Sequence, residues 1–244
     1  SRIVTQFIRW STRLLLFAVL VCAVFLAVVW LRGRPQDLPW TKVDLGEPIG
    51  LFTGRKLAAL TDDFSQCRAL LDRAGVAYSS ADPVTRADVP QCGFSDGIVL
   101  TEGAALAPEG LTMSCPVAAA LIKWEWDIVQ PAARRHFGSR VATITHFGSH
   151  SCRRLYGRES GGWSEHATAD AVDISGFRLA DGTVISVLKD WPGEGAKAAF
   201  LREVRDGACK LYATVLSPDY NAQHADHFHM DQASRGASGW RACR

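Results

Sequence analysis

Charged residues are absent from one stretch of the chain and scattered through the rest. From Leu14 to Leu31 the sequence reads LLLFAVLVCAVFLAVVWL, and as a helix this run reaches roughly 27 Å, near the thickness of a bilayer core. A cleaved export signal has a shorter apolar run and a small-residue cleavage site, whereas RGRPQD follows here. The pattern therefore predicts an uncleaved membrane-spanning helix over residues 14–31, preceded by residues 1–13. Residues 32–50 carry Pro35, Pro39 and Pro48 among polar positions, which reads as an extended spacer. A folded domain is then expected over residues 51–244.

Within that domain the hydrophobic period alternates between helical and extended. Thr61 reads as the N-cap of a helix through SQCRALLDRA, with Phe64, Leu70, Leu71 and Ala74 at helical spacing and Gly75 at its end. A second helix is predicted from Pro116 to Phe137, kinked or divided at Pro131, with Trp124 and Trp126 as packing residues. VATITH from Val141 alternates as a strand does, and AVDISGFRL from Ala171 with the following GTVISVL reads as a hairpin joined at Asp181 and Gly182. A helix over Ala196 to Asp206, a strand from Leu211 and a short strand at HFHM from His227 complete the pattern. These elements predict an α+β fold: one transmembrane helix, then a domain with a small antiparallel sheet flanked by helices.

Composition narrows the partners. With 48% apolar residues among 244, the chain holds enough for an anchor and one cored domain. A net charge of +2 gives no electrostatic reason to bind nucleic acid, which we exclude. Arg2, Arg9 and Arg13 precede the apolar run while Arg32, Arg34 and Lys42 follow it, so the positive-inside comparison is close to a tie. Cysteine decides the orientation. Cys22 lies in the apolar run, and Cys67, Cys92, Cys115, Cys152, Cys209 and Cys243 lie beyond it with no close metal-binding pair. An even six reads as disulfides in an oxidising compartment, against the alternative of reduced core thiols in a cytosolic domain. The expected topology is therefore a cytoplasmic residues 1–13 and a periplasmic domain on the inner membrane. Closing local loops favours Cys67–Cys92 and Cys209–Cys243, leaving Cys115–Cys152.

The candidate chemistry is concentrated late in the chain, where six of the seven histidines fall between His146 and His229. In SEHATADAVD, His166 and Asp173 flank a loop-to-strand transition and offer an imidazole nitrogen and a carboxylate oxygen, both zinc ligands. In HADHFHMD, His227 and His229 alternate onto one side of an extended strand, so one can bind metal while the other does acid–base work. Asp170 reads as a loop cap or a support for the ligands, and Glu165 as solvated. His136, His146 and His150 match no metal spacing and read as surface or loop residues.

With these motifs, and with SCR at Ser151 to Arg153 and LSPDYNAQH before the second cluster, residues from about 60 to 244 resemble the bacterial extensin-like C-terminal domain family. Its fold is grouped with the LAS zinc peptidases, which include D-alanyl-D-alanine carboxypeptidases, a murein endopeptidase and the hedgehog signalling domain. The resemblance implies one zinc ion held by His166, Asp173 and His229, with water in the fourth position. It makes His227 the general base and His224 a transition-state partner. Asp226, three residues before His229, is the alternative base, since the carboxypeptidase branch has a glutamate there. Arg153 is either a holder of substrate carboxylate or oxyanion, or part of an internal salt bridge. The implied activity is hydrolysis of amide bonds in peptidoglycan peptides by an anchored periplasmic enzyme. The rival is a catalytically silent zinc module docked on an integral membrane protein complex, because the resemblance fixes ligands better than reaction.

Overall fold

The computed structural model describes residues 2–236 and 239–244. Helix α1 (Arg2–Arg32) contains the expected 14–31 segment and buries none of its residues against the protein. Among the described residues it is the one helix long and apolar enough to cross a membrane, with a mean hydropathy of 3.1 over its most apolar window. A helix suits that role because every interior backbone donor and acceptor is satisfied within the segment.

The following segment departs from the extended spacer expected over 32–50. Its Val43 and Leu45 are buried in the domain core, and two lysines fasten its backbone. Lys56 Nζ donates to the Pro35 carbonyl at 2.9 Å and to Thr41 Oγ1 at 2.7 Å. The buried Lys123 ammonium donates to the carbonyls of Leu45 at 3.0 Å and Glu47 at 2.5 Å, and pairs with Asp127 at 2.5 Å. Buried carbonyls need donors, and these lysines supply them, so the segment is a strap on the domain rather than a free tether.

Helix α2 (Thr53–Ala58) leads through a tight turn into α3 (Phe64–Arg73). The N-cap of α3 is Asp63, not Thr61: Thr61 sits inside the preceding turn, while the Asp63 carboxylate accepts from Gln66 N at 3.0 Å. Gly75, with φ +69°, provides the expected left-handed end. Strands β1 (Tyr78–Ser80), β2 (Val84–Thr85), β3 (Gly93–Phe94), β4 (Gly97–Leu100), β5 (Ala105–Ala107) and β6 (Thr112–Ser114) follow. Of these, β1, β4 and β6 make a three-stranded antiparallel sheet, and β2 pairs with β3. The helix expected over Pro116–Phe137 is divided: α4 (Cys115–Trp124) and α5 (Gln130–Phe137) are joined by a wide π turn over Glu125–Val129. Pro131 has no N–H and its ring crowds the preceding turn, and the widened turn accommodates both.

The remaining elements are β7 (Val141–Gly148), β8 (Ala171–Leu179), β9 (Val184–Ser186), α6 (Val187–Asp190), α7 (Ala196–Ala208), β10 (Thr214–Leu216), β11 (Phe228–Asp231) and β12 (Ala242–Cys243). The six strands among them form with β5 a seven-stranded sheet in the order β12-β10-β11-β8-β7-β5, with β9 beside β8. The α+β class holds. The central pairs are antiparallel as expected, and the β5–β7 and β10–β12 pairs are parallel, so the sheet is larger and mixed. On one face Val172, Ile174, Phe228 and Met230 enter the core with Trp124, Phe177 and Phe200. Trp124 is fully buried with its indole N–H on the Val204 carbonyl at 2.8 Å, while Trp126 is 39% exposed and packs only in part.

All six domain cysteines are oxidised, and Cys209–Cys243 pairs as expected, but the expected Cys67–Cys92 and Cys115–Cys152 are corrected. The bonds are Cys67–Cys115, Cys92–Cys152 and Cys209–Cys243. Helix α3 packs on the start of α4 in the core, bringing Cys67 to Cys115 across the whole β1–β6 excursion. Cys92 is thereby left for Cys152.

Candidate metal centre

Strand periodicity builds the site. Because Phe228 and Met230 point into the core, His229 and Asp231 point to the opposite face of β11. The β8–β11 register sets His229 directly across from Asp173. His166 joins them from a short turn, Glu165–Thr168, capped by Ser164, whose hydroxyl accepts from His166 N at 3.3 Å. The left-handed Ala169 (φ +59°) then reverses the chain into β8.

His166 Nε2 and Asp173 Oδ1 are 3.2 Å apart, His229 Nδ1 and Asp173 Oδ1 3.0 Å, and the two imidazole nitrogens 3.1 Å. The outer nitrogens are committed elsewhere: His166 Nδ1 donates to the Ser149 carbonyl at 2.5 Å, and His229 Nε2 faces Asp231 Oδ2 at 3.0 Å. When both imidazoles are neutral and each outer nitrogen donates, each inner nitrogen presents a lone pair. Two imidazole nitrogens and a carboxylate oxygen thus converge within 4.8 Å of one another. Such a group could hold a cation, and the donor set with its outer hydrogen bonds fits a tetrahedral divalent metal keeping one open position.

Two further histidines border this group. His227 lies just before β11 rather than in it, yet its Nε2 reaches to 3.6 Å from Asp173 Oδ1 while its Nδ1 bonds Asp226 Oδ1 at 2.8 Å. His224 donates from Nδ1 to Asn221 Oδ1 at 2.8 Å, an oxygen fixed by the Gln223 N–H at 3.0 Å. The Arg153 guanidinium stands 4.0 Å from Asp173 Oδ2. Its loop is held by Ser151 N on the His166 carbonyl at 2.9 Å and by the Cys92–Cys152 bond. A cleft of about 390 Å³ is lined by Arg153, His166, His224, His227 and His229, with Tyr156 in its wall and the Tyr156 hydroxyl 3.3 Å from that of Tyr220.

The family model for the extensin-like protein C-terminus matches residues 65–244. The chain belongs to that family. No curated protein and no solved structure matches it. Every site residue named above falls within the extensin-like portion, and α1 lies outside it.

Electrostatics in this extensin-like domain follow from burial and the converging charges. Burial pushes the Asp173 carboxyl up, but the hydrogen bonds and charges of His166 and His229 together outweigh it and hold it well below the usual carboxylate range. For His229 burial acts downward, and Asp173 and Asp231 overcome it, raising the imidazole to about 9, so near pH 7 its Nδ1 carries a proton that a bound metal would displace. His224 is pushed down to about 4 by burial and by repulsion from His227 and His229, so it stays neutral near pH 7.

Several sequence expectations change. Glu165, expected to be solvated, lines the cleft and is raised to about 7 by burial and by the nearby carboxylates Asp231 and Asp170. His146, expected at the surface, is only 6% exposed on β7, because its Nε2 finds the Pro108 carbonyl at 2.8 Å. His136 pairs with Glu203 at 2.8 Å, and His150 is exposed beside Phe94. Asp170 lies outside the converging group, accepts from Thr168 Oγ1 at 2.9 Å and is raised to about 6, chiefly by burial. Sequence reasoning missed Asp231 as the partner of His229. Its position two residues further along the same strand face was the available signal.

Proposed function

We propose that this chain is a membrane-anchored zinc hydrolase that cleaves amide bonds in peptidoglycan peptides, with its domain on the periplasmic side of the inner membrane. The observation that carries the reading is the convergence of His166, Asp173 and His229 beside a histidine–carboxylate pair, His227 with Asp226. The resemblance of the His166–Asp173 and His227–His229 spacings to the LAS peptidases supports the choice of substrate class. The oxidised cysteines support the periplasmic side.

A bound zinc would acidify a water molecule and polarise a carbonyl. The remaining steps belong to the protein. His227 presents Nε2 to the centre and takes the proton of the attacking water. Asp226 accepts the Nδ1–H and stabilises the imidazolium that results, so Asp226 orients the base and does not replace it. Once charged, His227 returns the proton to the leaving amine. His224, neutral with its proton on Nδ1, offers an Nε2 lone pair to a substrate N–H. Arg153 is the cation within reach of a substrate carboxylate or of the developing oxyanion.

The test is digestion of purified sacculi and muropeptides by the zinc-loaded full chain, read by mass spectrometry. New amine and carboxyl termini are expected from wild type and not from His227→Ala. Zinc-loaded wild type that releases no fragments between pH 6 and 9 would sink the hydrolase reading and favour a silent, anchored zinc module.

A further inference from the structure

Outside α1, the most exposed large apolar side chains among the described residues are Leu51 at 81% and Trp40 at 77%. A single exposed apolar residue needs no explanation, but these two are held at the same place. Leu51 N donates to Asp37 Oδ1 at 2.8 Å, and Phe52 N donates to the Gln36 carbonyl at 3.3 Å. Both bonds tie the Leu51 tip to the turn Pro35–Asp37, which begins just after α1 ends at Arg32. Trp40 follows in the next turn, closed by Thr41 Oγ1 donating to the Leu38 carbonyl at 3.1 Å.

The end of α1 carries matching features. Trp30 is 57% exposed, and the Arg34 guanidinium lies 4.6 Å over its ring while also pairing with Asp37 at 3.0 Å. Arg32, Arg34 and Lys42 lie close in sequence to Trp30 and Trp40. Amphipathic indoles beside basic residues suit the boundary between acyl chains and anionic headgroups. The buried contacts of Lys56 and Lys123 fix the strap on the domain, so Trp40 and Leu51 cannot move independently of it.

We propose that Trp40 and Leu51, with Trp30, enter the headgroup region of the leaflet from which α1 emerges and seat the domain directly on the bilayer. Lipid is the occupant because the patch is continuous with the apolar surface of α1 through a fastened turn. The inference rests on α1 being a membrane span, which the test reads separately.

The full chain is reconstituted into liposomes of phosphatidylcholine and phosphatidylglycerol, with an environment-sensitive dye on one thiol at a time. Three positions are compared: the native Cys22, Leu51→Cys in a Cys22→Ser background, and Leu188→Cys in the same background. Leu188 is 56% exposed and far along the chain from the strap. The proposal expects blue-shifted emission, quenched by deep spin-labelled lipid at Cys22 and by shallow spin-labelled lipid at the Leu51→Cys site, with a water-like, unquenched Leu188→Cys site. A quenched Cys22 label with a water-like Leu51→Cys label overturns the seating alone. An unquenched Cys22 label overturns the span and the seating together.

Discussion

Replacing Asp231 by asparagine tests the metal centre without touching a ligand. In the folded protein one carboxylate oxygen accepts from Ala233 N at 3.0 Å and the other faces His229 Nε2 at 3.0 Å. An asparagine must keep its carbonyl oxygen on the Ala233 N–H, which turns its NH₂ group toward His229. His229 Nε2 then has to accept, its proton moves to Nδ1, and the nitrogen aimed at Asp173 loses its lone pair. Loss of such a supporting hydrogen bond typically weakens metal binding about 10- to 100-fold, or about 1.4 to 2.7 kcal/mol. The same amount is lost from the stabilisation that zinc confers on the fold, so the zinc-induced rise in Tm should shrink by roughly 3 to 11 °C. Competition titration against a chromophoric chelator gives the affinity, and thermal melts with and without zinc give the shift. Asp226→Asn, which bonds His227 instead, serves as the control and should leave zinc affinity unchanged. Equal zinc affinity in wild type and Asp231→Asn would refute the assigned roles of both His229 nitrogens.

Further outcomes follow from the same geometry. His227→Ala should retain zinc while its turnover of muropeptides falls about 10²- to 10⁴-fold, measured by initial rates. Asp170 has a folded-state pKa raised from 3.8 to about 6, so between those values the folded chain holds a proton that the unfolded chain releases. Its contribution to stability is therefore full below about pH 4 and is lost as the pH rises through 6, a change of about 3 kcal/mol. Urea unfolding across that window should show this slope, and Asp170→Asn should flatten it. Removing the Cys67–Cys115 bond, which spans 48 residues, by a double alanine substitution should destabilise the domain by about 4 kcal/mol on chain-entropy grounds. Non-reducing peptide mapping of wild type should return that bond with Cys92–Cys152 and Cys209–Cys243.

What the sequence disclosed and what it hid divide along a physical line. Alternation in HFHM was enough to put His229 on one strand face, opposite Phe228 and Met230, because side-chain direction in a strand is a local property. The π turn before Pro131 and the left-handed end at Gly75 were likewise local consequences of proline and glycine. The cysteine pairing was not local. It depended on α3 packing against α4, and chain proximity pointed Cys67 to the wrong partner. The strap over residues 33–50 read as a spacer because its prolines and polar residues dominate the pattern. The two lysines that bury it stand elsewhere in the chain and look solvated in isolation. Asp231 was hidden for a similar reason: a carboxylate is identified as a ligand support only when the nitrogen it faces is known.

Elemental analysis of the purified, dialysed full chain and its ligand variants tests the metal centre most directly. The account predicts one zinc per chain in wild type and in His227→Ala, and none in His166→Ala or His229→Ala despite intact disulfides and fold. Zinc retained at the wild-type level in both ligand variants, or a folded wild type that takes up no zinc when it is supplied, would contradict it.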